Sequence, residues 1–206
     1  MSNCGATPAI IGGGLAGSLL AIFLARRGYR PTVYERSPRF AARAATQGRS
    51  INLALAERGI RALQRAGVMD RVQPLLIPMQ GRMIHETTGE PTLLRYGQRP
   101  NEQIYSVSRA LLNYELYQTA SRDYGVAYRF ESHCNSLDTD TGAVTVIQNG
   151  AAEAVDAAVV FAVDGAGSMI RRTLAQGGWI TSSEELLDHG YKELTIEAHN
   201  GDYALE

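Results

Sequence analysis

The sequence predicts an α/β protein that opens with a βαβ unit, on three observations. A short apolar run, Pro8-Ala9-Ile10-Ile11, ends in three consecutive glycines. A stretch with helical spacing follows, and a second apolar run then closes on an acid, Glu35. Beyond residue 50, strand-like runs alternate with further helical stretches, the pattern of a mixed fold around a sheet.

Each element has its own reason. Residues 8–11 are apolar at every position, as in a parallel strand buried on both faces. Residues 15–27 carry Leu19, Leu20, Ile22, Phe23 and Leu24 on a broad buried helix face. Gly28 stops this helix after Arg26 and Arg27, where cations suit the dipole. Residues 31–35 form the second strand. Residues 36–49 shift to Arg, Ala, Ser and Gly and read as a loop. Its Arg36, Arg39, Arg43 and Arg49 are either solvated charges or include one or two that reach a phosphate or an adenine.

Residues 50–55 are apolar enough for a strand or a tight turn, and 57–66 have helical spacing at Ile60 and Leu63. Residues 82–86, 92–96 and 103–107 read as short strands between Gly and Pro signals. Ser108 is placed to cap a helix that buries Leu111, Leu112, Leu116 and Tyr117. Residues 126–130, 143–147 and 157–163 read as strands, with Asn149-Gly150 as a hairpin turn. Residues 167–174 form a short helix and 191–196 a last strand. No internal repeat or low-complexity linker interrupts the chain.

Composition excludes several classes of function. The 206 residues suffice for one sizeable core, or for one domain with a small second lobe. A net charge of −1 creates no field favouring nucleic acid or an anionic membrane. Aromatics are sparse and not interleaved with a basic stripe. Cys4 and Cys134 form no disulfide framework, and His133 beside Cys134 lacks zinc-ligand spacing, so free thiols and no metal are expected. The N-terminus has no signal-peptide pattern, and no apolar run approaches the roughly 20 residues that span a bilayer. A cytoplasmic protein without a membrane segment is the expectation.

Gly12-Gly13-Gly14-Leu15-Ala16-Gly17 fits G-x-G-x-x-G, and each fixed glycine has a task. Gly12 permits the tight turn out of the strand, Gly14 lets backbone amides approach a pyrophosphate, and Gly17 lets helix and strand pack closely. The helix N-terminus then offers unpaired amides and partial positive charge. Glu35 lies 35 − 12 = 23 positions beyond Gly12, near the expected spacing of about 20. Its carboxylate can accept both ribose hydroxyls and would repel a 2′-phosphate. The pattern points to the ADP half of a dinucleotide cofactor. Asp164-Gly165-Ala166-Gly167-Ser168 is a second strand-to-helix turn. It either brings a carboxylate and backbone to a cofactor or is a plain turn with Ser168 as cap. Arg82 and Tyr96 sit in strand-like segments, where an Arg either faces water or binds a ligand.

These motifs, together with Val33-Tyr34-Glu35-Arg36, the stretch 48–55, Gly81-Arg82-Met83-Ile84-His85, Ser106-Val107-Ser108-Arg109 and the stretch 190–196, run in order along the whole chain. In this the sequence resembles the kynurenine 3-monooxygenases, a family of single-component FAD-dependent aromatic hydroxylases. The stretches at 48–55 and 190–196 are far more specific than the glycine motif.

The resemblance implies a Rossmann-like FAD-binding domain from residues 1–70 and 103–180, with part of a β-rich substrate lobe from 71–102 and 181–206. It implies bound FAD, NADPH as co-substrate, O2, and hydroxylation of L-kynurenine to 3-hydroxykynurenine. The flavin carries the chemistry and no side chain is catalytic. By the same resemblance, Gly12, Gly14, Ala16 and Gly17 lie on the pyrophosphate and Glu35 on the ribose. Arg36 and Ala54 lie along the cofactor, Arg109 contacts it, the main chain at Cys134 lies near the adenine, and Asp164 opens a second nucleotide motif. Arg82 and Tyr96 match positions that hold the substrate carboxylate, where a guanidinium fork suits the ligand.

The family is about twice as long, its later Gly-Asp flavin motif has no counterpart, and Val163 stands where a smaller residue is usual. The chain is therefore expected to be an N-terminal half. Two other readings stay open: a truncated, non-catalytic FAD-binding module, and a related hydroxylase of another aromatic acid.

Overall fold

The computed structural model describes residues 7–40, 52–85, 87–99 and 102–190. Cys4, Arg43, Arg49, the start of the expected strand at 50–55 and the expected last strand at 191–196 lie outside these residues.

A four-stranded parallel sheet organises the structure. Its strands are β1 (Pro8–Ile11), β2 (Thr32–Tyr34), β8 (Ala127–Arg129) and β12 (Val159–Ala162), in the order β12-β1-β2-β8. All four residues of β1 are buried. Alternation along the strand explains why an unbroken apolar run was needed. Ile10 faces one core with Val33, while Ala9 and Ile11 face a second core with Tyr34.

Helices fill the first face. These are α1 (Leu15–Ala25), α2 (Glu57–Ala66), α3 (Met69–Val72) and α4 (Arg109–Gln118), which runs into a π turn at Thr119–Asp123. Ile22 of α1 and Leu112 and Leu116 of α4 pack there with Ile10 and Val33. The second face is covered by an antiparallel sheet, β9 (Ser132–Leu137), β10 (Val144–Gln148) and β11 (Ala151–Ala154), and by helix α5 (Met169–Gln176). Val144, Val146 and Ile170 pack on Ala9 and Ile11.

Two smaller sheets complete the described chain. One has the order β3-β7-β4, from β3 (Asn52–Leu55), β7 (Ile104–Ser108) and β4 (Ile77–Met79). The other is the hairpin of β5 (Gly81–Ile84) and β6 (Thr92–Arg95).

Most expected elements are present, and the differences have local causes. Helix α1 ends at Ala25, because Gly28 N–H bonds Ala25 O and Tyr29 N–H bonds Leu24 O with Gly28 at φ +85°. That is a Schellman closure on Gly28, and Arg26 and Arg27 lie within it, after the last residue of α1. Helix α5 starts at Met169 because Ser168 is its cap, accepting from Arg171 N–H at 3.0 Å. Ser108 caps α4 in the same way, through Leu111 N–H. The hairpin turn holds Asn149 at φ 52° and Gly150 at φ 80°, the mirror-image turn that suits twisted strands. Three strands carried no strand signal. β4 contains Pro78 and lies at the edge of the sheet among the described residues, where a missing amide is tolerated. β9 is mostly polar, and β11 is rich in exposed alanine.

Leu116 is fully buried between α4 and the sheet, whereas Leu94 on β6 is 47% exposed. Leu116→Ala is expected to lower the unfolding free energy by about 2–5 kcal/mol, and Leu94→Ala to change it by no more than about 0.5 kcal/mol. Urea denaturation of the two variants checks this; equal losses would contradict the packing of α4 described above.

Candidate functional site

In an open parallel sheet, the crevice forms outside the carboxyl ends of the strands, where the chain order reverses. Here that point is the end of β1, which has β2 on one side and β12 on the other. A cleft of about 1190 Å³ opens at these strand ends. It is lined by Gly12 and Gly14 after β1, Glu35 and Arg36 after β2, and Asp164 after β12. Arg109 of α4 and Cys134 of β9 complete the sequence-predicted residues in its wall.

The glycine turn is built by steric exclusion. Gly12 has φ +107°, and a Cβ there would stand 2.5 Å from Val163 O. A Cβ on Gly17 would stand 1.9 Å from Gly12 O and 3.2 Å from Val163 Cγ2. The large Val163 is accommodated against the turn because its neighbours lack side chains. Gly14 differs: its Cβ would meet nothing within 4 Å, and the residue faces the cleft. It is also the N-cap of α1 and brings no side-chain hydrogen bond to the helix amides. Those amides are therefore available at the cleft. Gly13, a free position in the motif, turns out to be constrained too. A Cβ there would lie 3.0 Å from Glu35 Cβ and 3.1 Å from Glu35 Oε2.

Glu35 is buried and ties the turn to β2. Oε2 accepts from Gly13 N–H at 2.6 Å and Oε1 from Ser37 N–H at 2.8 Å. Each carboxylate oxygen keeps a further lone pair for a ligand hydroxyl. The Gly13 carbonyl accepts from Ser18 Oγ at 3.0 Å and from Asn113 Nδ2 at 3.2 Å. Tyr128 donates its hydroxyl to Ser18 Oγ at 3.2 Å. Burial pushes the Tyr128 phenol up to about 12, against the opposing effect of the Ser18 hydrogen bond.

At the second turn, Ser168 is a helix cap and Asp164 also lies in the cleft wall. Asp164 Oδ2 accepts from Met169 N–H at 3.1 Å. Cys134 stands near it. Burial, and secondarily the Asp164 charge, raise its thiol from 9.0 to about 11.

Arg36, Arg39, Arg109 and Arg172 line the cleft against the acids Glu35 and Asp164. This cationic excess suits a diphosphate. Arg39 also donates to Tyr117 OH at 3.1 Å, while the neighbouring Arg171 pairs with Glu184 instead.

The remaining sequence-predicted positions lie elsewhere. Ala16 is exposed on α1, Gly17 is buried beneath the turn, and Ala54 is exposed on β3. Arg82 and Tyr96 belong to the β5–β6 hairpin and do not line the cleft. They do share a face. Arg82 pairs with Leu94, and Tyr96 N–H bonds Gln80 O two residues further along the ladder, so Arg82 and Tyr96 are diagonal neighbours. Asn113 and Arg172 line the cleft without having been singled out. Asn113 lies in a helix read only for its apolar face. Arg172 adjoins a glycine turn, and that position could have marked it.

Among the described residues, no helix is long and apolar enough to cross a membrane, and no group of three His, Cys, Asp or Glu side chains could hold a metal ion.

Comparison with known proteins adds the following. The family described as FAD binding domain matches residues 6–204. A kynurenine 3-monooxygenase of Stenotrophomonas maltophilia is 42% identical over 202 residues, which is 96% of this chain and 44% of the relative. The protein of that name in Myxococcus xanthus is 40% identical over 197 residues, covering 95% and 42% respectively. The chain thus spans less than half the length of these curated relatives. Among solved structures, p-nitrophenol 4-monooxygenase PnpA from Pseudomonas putida superposes with a TM-score of 0.66 at 20% identity, over 81% of this chain and 42% of that one. The flavin-dependent monooxygenase PieE, solved with FAD and substrate, gives 0.67 at 24%, over 86% and 33%. At these identities the likeness is one of fold.

The site geometry makes two predictions. Gly14→Val is expected to keep the thermal midpoint within a few degrees of the parent, whereas Gly17→Ala lowers it strongly or prevents folding; the reverse order would refute the steric reading. At pH 8, Cys134 holds about a hundredfold less thiolate than a thiol at its ordinary value. Iodoacetamide is therefore expected to label Cys134 far more slowly in the folded chain than in urea, as followed by peptide mass spectrometry.

Proposed function

The chain belongs to the FAD binding domain family of flavin-dependent monooxygenases, and from this premise we propose that its cleft holds FAD for the hydroxylation of L-kynurenine to 3-hydroxykynurenine with NADPH and O2. The observation that carries the cofactor assignment is the Gly14 turn. It is open toward the cleft, capped by no side chain and set beside a buried carboxylate. The residues present fit the group. Gly14 and the α1 amides would take the pyrophosphate, helped by Arg109 and by Arg36 at the rim. Glu35 would accept ribose hydroxyls with the lone pairs its backbone bonds leave over. The main chain at Cys134 would lie by the adenine, and Asp164 would meet the cofactor from the second turn. Gly12 and Gly17 would serve by keeping the turn closed. Ala16 and Ala54, both exposed, have the weakest claim to direct contact.

Bound flavin would supply the redox chemistry and oxygen activation that side chains lack. The chain's own contribution is binding, orientation and selectivity. A carboxylate at the ribose disfavours a 2′-phosphate, so the cleft would take FAD as resident cofactor and leave NADPH to act as co-substrate. Arg82 and Tyr96, on one face of the β5–β6 hairpin, would hold the amino-acid end of the substrate. Residues 1–70 and 103–180 would then form the cofactor domain, with 71–102 and 181–206 belonging to a substrate lobe.

A second reading, a cofactor-binding module without hydroxylase activity, draws on one observation. The hairpin bearing Arg82 and Tyr96 is exposed along both strands, with Met83 51% and Tyr96 46% accessible. The described residues therefore do not close a dry cavity over it.

An absorbance spectrum of the purified chain after incubation with FAD and gel filtration separates the outcomes. Retained flavin bands in the parent, lost in Gly14→Val, are expected; equal retention in both would refute the Gly14 site. NADPH oxidation stimulated by L-kynurenine supports the hydroxylase, and flavin retention without stimulation supports the module.

A further inference from the structure

One residue of the glycine turn, Gly13, is tied down by three distant parts of the chain through the two peptides that meet at it. Gly13 N–H donates to Glu35 Oε2 at the end of β2. The Gly13 carbonyl accepts from Ser18 Oγ, which Tyr128 of β8 holds in turn, and from Asn113 Nδ2, 100 positions away on α4. Asn113 belongs to none of the sequence motifs. Its other amide atom, Oδ1, is buried without a hydrogen-bond partner among the described residues. Burying half an amide unpaired is unfavourable, so packing alone does not account for an asparagine on this face of α4.

We propose that Asn113 is a positioning residue for the phosphate-binding turn: it holds the Gly13 carbonyl toward the protein and thereby aims the Gly14 N–H into the cleft. The direction follows from peptide geometry. The Gly13 carbonyl and the Gly14 N–H share one planar trans unit and point opposite ways. Donors on the protein side of the carbonyl therefore fix the amide on the ligand side. Glycines flank this unit on both sides, and they restrain its rotation less than any other residue. The restraint has to come from outside the turn, and Ser18 and Asn113 supply it. An amide aimed before the ligand arrives need not be ordered on binding. The positional claim concerns the ligand-free chain; its consequence for binding rests on the FAD reading above.

Two variants of the full chain test the proposal. Asn113→Leu and Asn113→Asp both remove the donor, and the second keeps the shape should the first fail to fold. Hydrogen exchange of the ligand-free chain, read by mass spectrometry, is expected to quicken about five- to tenfold in the peptide carrying the glycine turn and to stay unchanged in β10. The affinity for ADP is expected to fall by about five- to tenfold, while that for adenosine, which has no phosphate, stays within about twofold. Unchanged exchange at the turn, or equal losses for ADP and adenosine, would overturn the proposal. A turn that loosens in variants whose parent binds neither ADP nor FAD would sink the FAD reading and leave the positioning role standing.

Discussion

The constraint on which the structure depends is the contact of backbone with backbone at the end of β1. A single carbon added to Gly17 would sit 1.9 Å from the Gly12 carbonyl oxygen, and one added to Gly12 would sit 2.5 Å from that of Val163. Neither neighbour is a flexible side chain that could swing away. The contact therefore fixes three things together: where α1 leaves the sheet, how close β12 comes to β1, and which way the α1 amides face. The helix end is bare for a different reason: its N-cap, Gly14, has no side chain, although a Cβ there would have open space. α1 thus starts without a side-chain cap and presents its amides and partial charge to the cleft.

Glu35 joins this steric frame to the chemistry of the site. A carboxylate so far from water needs partners, and it finds them in Gly13 N–H and Ser37 N–H, one for each oxygen. The same side chain therefore holds the turn against β2 and keeps accepting capacity toward the cleft. Charge around it is divided by location. The acids Glu35 and Asp164 stand at the strand ends, and both are engaged by backbone amides. The arginines at 36, 39, 109 and 172 are spread over the other walls. Such a division suits a ligand with hydroxyls at one part and a diphosphate at another.

What could be read from the sequence was set by whether a residue's task is local. Residues 8–11 announce a two-sided strand because both cores need apolar side chains from it. Gly12, Gly14 and Glu35 announce a tight glycine turn with an acid beside it because their spacing is fixed by one βαβ unit. Ser108 and Ser168 were legible as caps, since a cap answers to the helix beside it. Long-range tasks leave no such trace. Asn113 meets the turn only after 100 residues have folded between them. β9 is mostly polar, and its strand state comes from pairing with β10, so no alternation marked it. Pro78 breaks the strand pattern of residues 77–79 and is compatible with β4 because that strand lies at the edge of the described sheet. Gly13 looked like a free position, and its reason for being glycine, the Glu35 side chain, is 22 residues away.

The same distinction separates the two halves of the proposed activity. Residues of the cofactor cleft hang on strands whose both faces are packed, so their positions follow from two cores. Arg82 and Tyr96 hang on a two-stranded hairpin whose side chains are largely exposed. An isolated hairpin is marginal in water, and a carboxylate fork gains much of its strength from being shielded. Register alone already puts the two side chains on one face. It does not remove water from around them. The turn proposed for the nucleotide end of a cofactor is thus fixed within this sheet and its two cores, whereas a substrate site built on Arg82 and Tyr96 requires further surface packed against β5 and β6. Selectivity for an aromatic amino acid would then be decided by whatever closes over that face, and affinity for the nucleotide by the turn beneath it.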